Sequence, residues 1–210
     1  MKQKLLLELP KIDQRYFEND LGNKGISVVA GVDEVGRGCL AGPVLAASVI
    51  LPSNCGIQGI NDSKKLSPKE RDRLFDIIID KAVAYGVGVV EAAEIDRINI
   101  LQATLKAMSI SLESLNVKPQ FVLIDGNQAL KDCKIPQKVI VKGDSRSISV
   151  GAASIVAKVT RDRMMAELEN KYPNFKFSIH KGYGTKLHLE ELAKHGPTAI
   201  HRKSFGRVSS

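Results

Sequence analysis

The sequence predicts an α/β protein in which a mixed five-stranded sheet is flanked by helices and followed by a basic, helical C-terminal segment. Two observations support this fold class. Short apolar runs rich in β-branched residues recur along the chain, and from residue 67 onward they alternate with segments of helical periodicity. The first two runs are joined by a linker too short for a parallel crossover, so they predict an antiparallel hairpin. A hairpin followed by alternating strands and helices indicates a mixed sheet covered by helices.

The predicted elements can be placed in order along the chain. Residues 2–25 favour a short leading helix, and another helix is expected to begin at Ser67, where Ser-Pro-Lys-Glu combines a capping box with proline at the first helical position. A stripe of apolar residues at three- and four-residue steps predicts one helix over residues 93–115. The predicted strands cover residues 28–33, 44–51, 85–91, 121–125 and 139–142, and the remaining predicted helices cover residues 67–84, 148–171 and 185–195.

Length and composition indicate one domain over residues 1–210, with a core unit at about 28–170 and a basic segment at 171–210. The content of 43% hydrophobic and 26% charged residues is that of a globular protein. Glu8 and Pro10 interrupt the first apolar run too early for a signal peptide, and no long apolar stretch follows, so we expect a cytoplasmic protein without membrane contact. The three cysteines are odd in number and widely spaced, which favours reduced thiols.

The charge distribution points to a polyanionic partner. The formal net charge is +8, and residues 171–210 contribute eight lysines and arginines against two glutamates. All four histidines also lie in this segment. A solvated basic tail and a nucleic-acid footprint are both compatible with this pattern.

Acidic side chains follow three of the predicted strands. Asp33 and Glu34 end the first strand, Asp125 ends the fourth, and Asp144 follows the fifth. Each has a simple structural explanation on its own, such as the Asp125-Gly126 turn or a helix cap at Asp144. If these strands are parallel neighbours, however, their carboxyl ends share one edge of the sheet, where ligand sites of α/β proteins form.

Four carboxylates at one point suit two magnesium or manganese ions, because these cations prefer ligand sets made of oxygen. Two such ions in a basic protein favour phosphodiester hydrolysis. Adjacent residues of a strand point to opposite faces, so Asp33 and Glu34 reach one site only if the strand ends or bulges there.

These residues and their neighbours resemble the type 2 ribonucleases H, and within them the bacterial ribonuclease HII family. The resemblance covers residues 29–185 in seven ordered blocks: GVDEVGRG (31–38), LAGPV (40–44), DSKKL (62–66), DG (125–126), KGDS (142–145), AASIVAKVTRD (152–162) and HKGYGT (180–185). It implies the ribonuclease H-like fold. It also implies that the metal-binding catalytic acids are Asp33, Glu34, Asp125 and Asp144, with manganese or magnesium as cofactor.

The resemblance further assigns substrate-binding residues. Gly36, Arg37 and Gly38, together with Tyr183, are implied to recognise the ribonucleotide at its junction with DNA, where glycines allow backbone groups to approach the 2′-hydroxyl. Phosphate contacts are implied for three lysines, Lys64, Lys65 and Lys181. Arg161 and Asp162 are expected to form structural pairs on their helix.

The implied activity is hydrolysis of the phosphodiester 5′ to a ribonucleotide, in RNA–DNA hybrids or singly embedded in duplex DNA, leaving 3′-hydroxyl and 5′-phosphate ends. The implied role is removal of misincorporated ribonucleotides by a monomer with no obligate protein partner. The related ribonuclease HIII has an extra N-terminal domain and usually a glutamate as its last acid. The 27 residues before the first strand and the aspartate at position 144 both favour type HII.

Two other classes of function remain open from the residues alone. Gly36-x-Gly38-x-x-Ala41 with Asp62 resembles a dinucleotide-binding fingerprint, which would indicate an NAD-dependent oxidoreductase. That fingerprint requires a helix after the loop, whereas Pro43 leads into an apolar strand pattern. A nucleic-acid-binding module without catalysis, acting through the basic C-terminal segment, is the second alternative.

Overall fold

A mixed five-stranded sheet forms the centre of the computed structural model, which describes residues 13–60, 63 and 66–208. The strands are β1 (Val29–Val35), β2 (Val44–Ile50), β3 (Ala84–Val90), β4 (Phe121–Asp125) and β5 (Gln137–Ile140). Their order in the sheet is β3-β2-β1-β4-β5. The first three strands are antiparallel neighbours, whereas β4 and β5 are parallel to β1. The predicted hairpin and the predicted parallel neighbours are therefore confirmed.

Helices cover both faces of this sheet. The helices are α1 (Tyr16–Asn23), α2 (Pro68–Lys81), α3 (Ala92–Ile98), α4 (Ile100–Glu113), α5 (Ile148–Lys171), α6 (Phe177–His180) and α7 (Lys186–His195), and a 3-10 turn lies at Gly143–Ser145. Successive β2 residues alternate between two cores: Leu45 packs with the α2 and α5 side chains, and Ala46 packs with those of α3 and α4. This alternation follows from the two-residue period of a strand.

The approach of α5 to β1 is unusually close. A Cβ atom built on Gly31 would lie 2.1 Å from the backbone carbon of Ser149. The α5 residues that follow are small, including Gly151 and Ala152, and are fully or nearly fully buried. Glycine at position 31 thus lets α5 lie directly on β1. This contact is two residues before Asp33, the first of the acidic residues on that strand.

Several element boundaries differ from the predictions. The single helix expected over residues 93–115 is two helices, because Asn99 adopts φ 68° and its side chain caps α4 by accepting from the Leu101 and Gln102 amides. Strand β5 ends at Ile140, since Lys142 takes a left-handed conformation that begins the 3-10 turn. Helix α2 ends at Lys81. The predicted leading helix is described only as α1, and the first 12 residues lie outside the described part.

The C-terminal segment is packed against the core and is not a solvated tail over its described residues. Short antiparallel bridges join Cys39 to Tyr183 and Ala41 to His201. Met165 of α5 packs with Phe175 and Phe177 in a separate apolar cluster. No helix within the described ranges is long and apolar enough to span a membrane.

We predict that Gly31→Ala destabilises the fold by about 1–3 kcal/mol, because the added methyl group overlaps the α5 backbone. The measurement is urea unfolding followed by circular dichroism. The control is Gly22→Ala in α1, where a Cβ atom meets nothing within 4 Å, so its stability should stay equal or rise by up to about 1 kcal/mol. Equal effects of the two substitutions would contradict the close α5–β1 contact.

Candidate metal centre and substrate cleft

Three of the four predicted acids converge at one edge of the sheet. Asp33, Glu34 and Asp125 each place a carboxylate oxygen within 4.8 Å of the others. The parallel register explains this convergence, because Val32 pairs with Ile124 and the next residue on each strand is an aspartate. Asp33 is buried, with 6% of its surface exposed.

Asp33 and Glu34 share this site although β1 does not end between them. Strand β1 runs to Val35 in its pairing with β2, whereas its pairing with β4 stops at Val32. The sequence predicts that β1 ends or bulges at these residues. Instead the strand continues beside β2 and loses only its pairing with β4. Beyond Val32 the pairing with β4 is absent, and Asp33 and Glu34 each place a carboxylate oxygen within 4.8 Å of one from Asp125.

The electrostatics of the site disfavour its charged state. Burial raises the pKa of Asp33 well above its ordinary value, and the charges of Glu34 and Asp125 raise it further. Hydrogen bonds from the Ser154 hydroxyl and the Glu34 amide act in the opposite direction. Burial also raises the pKa of Glu34, opposed by the Arg37 guanidinium, which lies 3.3 Å from Glu34 Oε1. A bound divalent cation would relieve this repulsion, and the donor set consists of oxygen atoms, so the residues fit such an ion.

Asp144 occupies the turn next to this group. The Gly143 amide donates a 2.6 Å hydrogen bond to Asp125 Oδ1, which ties the start of the 3-10 turn to the end of β4. Asp144 is the second residue of that turn, at the same edge of the sheet but outside the group of carboxylates within 4.8 Å.

An open cleft of about 990 Å³ adjoins the acids. Its lining includes Asp33 and Glu34, the predicted residues Lys181 and Tyr183, and three cations that the sequence analysis did not single out, Arg71, Lys158 and Arg163. The acids Asp72 and Asp162 also line the cleft and form ion pairs with Arg71, Lys158 and Arg163. Lysines and arginines beside an acidic group are the residues expected to contact a nucleic-acid backbone.

Contacts inside the cleft link its wall to the acids. Asp162 pairs with Lys158 at 2.7 Å and with Arg71 at 3.9 Å, as the predicted structural role of Asp162 requires. The Ser63 hydroxyl lies 2.9 Å from that of Ser154, which in turn bonds Asp33. Ser63 belongs to the DSKKL block, but Lys64 and Lys65 lie outside the described residues.

The glycine loop and Tyr183 lie together beside this cleft. Gly36 has φ 91°, and Arg37 is half-exposed with its side chain on Glu34. A Cβ atom on Gly38 would meet nothing within 4 Å. The Tyr183 ring is 36% exposed, and burial raises the pKa of its hydroxyl to about 12, so the hydroxyl keeps its proton at neutral pH. The loop continues into β2 and not into a helix, so a dinucleotide-binding turn is not formed here.

Two buried arginines hold this loop, and sequence reasoning missed their role. Arg161 donates to the carbonyls of Ala41, Pro43 and Lys181. Arg202 donates to the carbonyls of Gly42 and Arg37. Arg161 therefore binds backbone carbonyls, and the expected pair on its own helix is wrong for this residue. A buried arginine that donates hydrogen bonds to several carbonyls fixes the backbone segments that carry them.

Comparisons with known proteins agree with this geometry. The family model described as Ribonuclease HII matches residues 30–208. A protein named Ribonuclease HII from Bacillus mycoides is 50% identical over 99% of this chain and 81% of its own length. Among solved structures, ribonuclease H2 from Pyrococcus horikoshii superposes with a TM-score of 0.71 at 30% identity, covering 86% of this chain and 95% of that one. RNase HII from Archaeoglobus fulgidus, solved as a complex with PCNA, gives 0.70 at 26% identity, covering 85% and 95%.

We predict that Asp33→Asn stabilises the metal-free protein, because it removes one charge from a buried, repelling group. Relief of about 1–2 kcal/mol corresponds to a rise in melting temperature of about 2–8 °C. A raised carboxyl pKa makes the folded state lose stability as pH rises from the unfolded value toward the folded one, so the advantage of the variant should be larger at pH 8 than at pH 5.

The measurement is calorimetric melting in chelator at both pH values. Asp132→Asn, at an exposed acid away from the edge of the sheet that carries the cluster, is the control and should leave the melting temperature unchanged. A lower melting temperature for Asp33→Asn at pH 8 would show that the acids do not repel one another in the folded protein.

Proposed function

The chain belongs to the ribonuclease HII family, and from this premise we propose that it hydrolyses the phosphodiester on the 5′ side of a ribonucleotide. The substrates are RNA–DNA hybrids and duplex DNA with a single embedded ribonucleotide, and the products carry 3′-hydroxyl and 5′-phosphate ends. The observation that supports this proposal is the convergence of Asp33, Glu34 and Asp125 beside a cleft that is lined by lysines and arginines and also contains Tyr183.

The proposed cofactor is a divalent cation, manganese or magnesium, held by the three clustered acids and by Asp144. Such cations, when bound, activate the attacking water and stabilise the leaving oxygen of a phosphodiester. The chain prepares the site by orienting its carboxylates. Ser154 and the Glu34 amide hold Asp33, and the Gly143 amide holds Asp125, so the acids are fixed before substrate arrives.

The remaining residues of the cleft recognise the substrate in this proposal. Lys181 and Lys158 bind phosphates of the ribonucleotide-containing strand, with Lys64 and Lys65 in the same role. The backbone of Gly36, Arg37 and Gly38 reads the 2′-hydroxyl, since a loop rich in glycine lets peptide groups come close to a sugar. Tyr183 stacks on the sugar at the junction with DNA.

We also propose the cellular setting expected from the sequence. The protein acts as one domain over residues 1–210, as a cytoplasmic monomer that removes misincorporated ribonucleotides. It needs no obligate protein partner for cleavage, so the purified chain should be active alone. The archaeal relative solved with PCNA makes a sliding clamp an additional partner to be tested.

Cleavage of a labelled DNA duplex containing one ribonucleotide tests the activity. We expect incision only at the 5′ side of the ribonucleotide, with manganese or magnesium and not with chelator, and no cleavage of an all-DNA duplex. Asp33→Asn should bind the duplex but reduce cleavage by at least about a thousandfold, because it removes a metal ligand with little change of shape. Binding by the unsubstituted chain without cleavage under either metal would favour the non-catalytic binding module.

Tyr183→Ala tests substrate recognition separately. We expect kcat/KM on the single-ribonucleotide duplex to fall by about tenfold, or about 1.4 kcal/mol of transition-state binding, because the stacking surface is lost. Tyr85→Ala, at an exposed tyrosine of β3, is the matched control and should be neutral. An unchanged rate in Tyr183→Ala would remove Tyr183 from the substrate site.

A further inference from the structure

Three C-terminal histidines are buried together beneath Tyr183. His180, His188 and His201 are 4%, 0% and 1% exposed. The His180 and His188 rings are stacked with centroids 4.2 Å apart, and Phe175 and Phe177 pack around the group. His180 begins the HKGYGT block, but neither the family resemblance nor the proposed reaction gives any of the three imidazoles a role.

Hydrogen bonds to main-chain groups fix the protonation of two of these rings. The Tyr183 carbonyl lies 3.0 Å from His188 Nδ1, and a carbonyl only accepts, so His188 carries its proton on Nδ1. The Thr198 amide lies 2.9 Å from His201 Nδ1, and an amide only donates, so His201 Nδ1 carries no proton. A neutral His201 therefore carries its proton on Nε2.

The protonation of His188 is set by the Tyr183 carbonyl and that of His201 by the Thr198 amide, and the two rings are complementary where they meet. His188 Nε2 and His201 Nε2 lie 3.0 Å apart. With the protons placed as above, His201 Nε2–H donates to the bare His188 Nε2. A second proton on His188 would bring two N–H groups face to face. Burial lowers the pKa of both rings, that of His201 to about 4, which agrees with neutral imidazoles at pH 7.

The resulting relay runs in one direction and ends on the tyrosine backbone. The Thr198 amide and hydroxyl meet His201, His201 donates to His188, and His188 donates to the Tyr183 carbonyl. The stacked His180 supports the preceding residue, because its Nδ1 accepts from the Gly182 amide while its Nε2 donates to Glu191. The backbone at Tyr183 is thus held by imidazoles on two sides.

The backbone around the relay is bonded to the segment that follows the glycine loop. His201 forms an antiparallel bridge with Ala41, and the Leu40 amide donates to the Gly182 carbonyl at 2.8 Å. The backbones of His201 and Gly182, whose neighbouring side chains form the relay, are therefore bonded to the segment that follows Gly36, Arg37 and Gly38. A shift of His188 would move the tyrosine relative to that loop.

We propose that His188 and His201 are positioning residues, whose neutral hydrogen-bond relay sets the Tyr183 ring in the substrate cleft. This inference rests on the proposed function only for the role of Tyr183. The relay affects kcat/KM only by positioning Tyr183. Its effect on cleavage should therefore disappear when the tyrosine side chain is absent.

The first test needs no activity. Nitrogen-15 NMR of the histidine rings in the unsubstituted protein at pH 7.5 should show His188 protonated on Nδ1 and His180 and His201 protonated on Nε2. Protonation of His188 on Nε2 or on both nitrogens would overturn the relay. This result stands whether or not the protein cleaves ribonucleotides.

The second test is a double-mutant cycle on kcat/KM with the single-ribonucleotide duplex. His188→Gln places its amide toward His201 and loses the bond to Tyr183, so we expect about a tenfold loss. His188→Asn keeps a donor at the Nδ1 position and should lose less than about threefold. In the Tyr183→Ala background, His188→Gln should cost less than about twofold, because the group it positions is gone.

The outcomes separate this proposal from the proposed function. A general loss of folded protein would lower kcat/KM equally in both Tyr183 backgrounds and equally for the two His188 variants, and either result would overturn the relay. Should His188→Gln fail to fold, His201→Asn replaces it in the same cycle with the same expected loss, because its shorter amide lies at the Nδ1 position and does not donate to His188. His201→Gln keeps a donor at the Nε2 position and is the control for that variant. No cleavage by the unsubstituted protein would refute the proposed function and leave the NMR assignment as the test of the relay.

Discussion

Carboxylates that repel one another are held together at one edge of the sheet by the packing of β1, β4 and α5. Asp33, Glu34 and Asp125 lie within 4.8 Å of one another in surroundings that disfavour their charge. Left to relax, such side chains would turn away into solvent. The fold prevents this by fixing β1 and β4 as parallel neighbours and by pressing α5 onto β1 at Gly31. The repulsion destabilises the protein only at this edge of the sheet, and a bound cation would relieve it.

Side chains of the C-terminal segment also hold parts of the site in place. Arg202 donates hydrogen bonds to the carbonyls of Gly42 and Arg37, which lie 160 and 165 positions before it in the sequence. Arg161 of α5 donates to the same loop. The buried histidines hold Tyr183 next to it. Because the loop and the tyrosine are held by buried polar groups with satisfied hydrogen bonds, their relative position is set before any substrate binds.

Most of the sheet and the acids could be predicted from the sequence, because their signals are local. A β-branched run that ends in an acid identifies both the strand and the end that carries the charge, as at Val32-Asp33 and Ile124-Asp125. The break at Asn99 could not be predicted in this way, because apolar residues keep helical spacing across it. The roles of Arg161, Arg202 and His188 also escaped sequence reasoning. Their partners are distant in sequence, and a single buried polar residue has no periodic pattern that marks it.

Proton release on metal binding reports whether the clustered acids repel one another in the metal-free protein. Calorimetric titration of the unsubstituted protein with manganese, in buffers of different ionisation enthalpy, counts the protons displaced. If buried carboxyls share one repelling site, burial and mutual repulsion raise the pKa of Asp33 and Glu34, so these groups hold protons in the metal-free protein where an exposed carboxyl is ionised. Metal binding should then release protons, in growing number as the pH is lowered from 8 to 5.5. Binding with no proton release across that range would show that the acids are ordinary, independent carboxylates and would contradict the account.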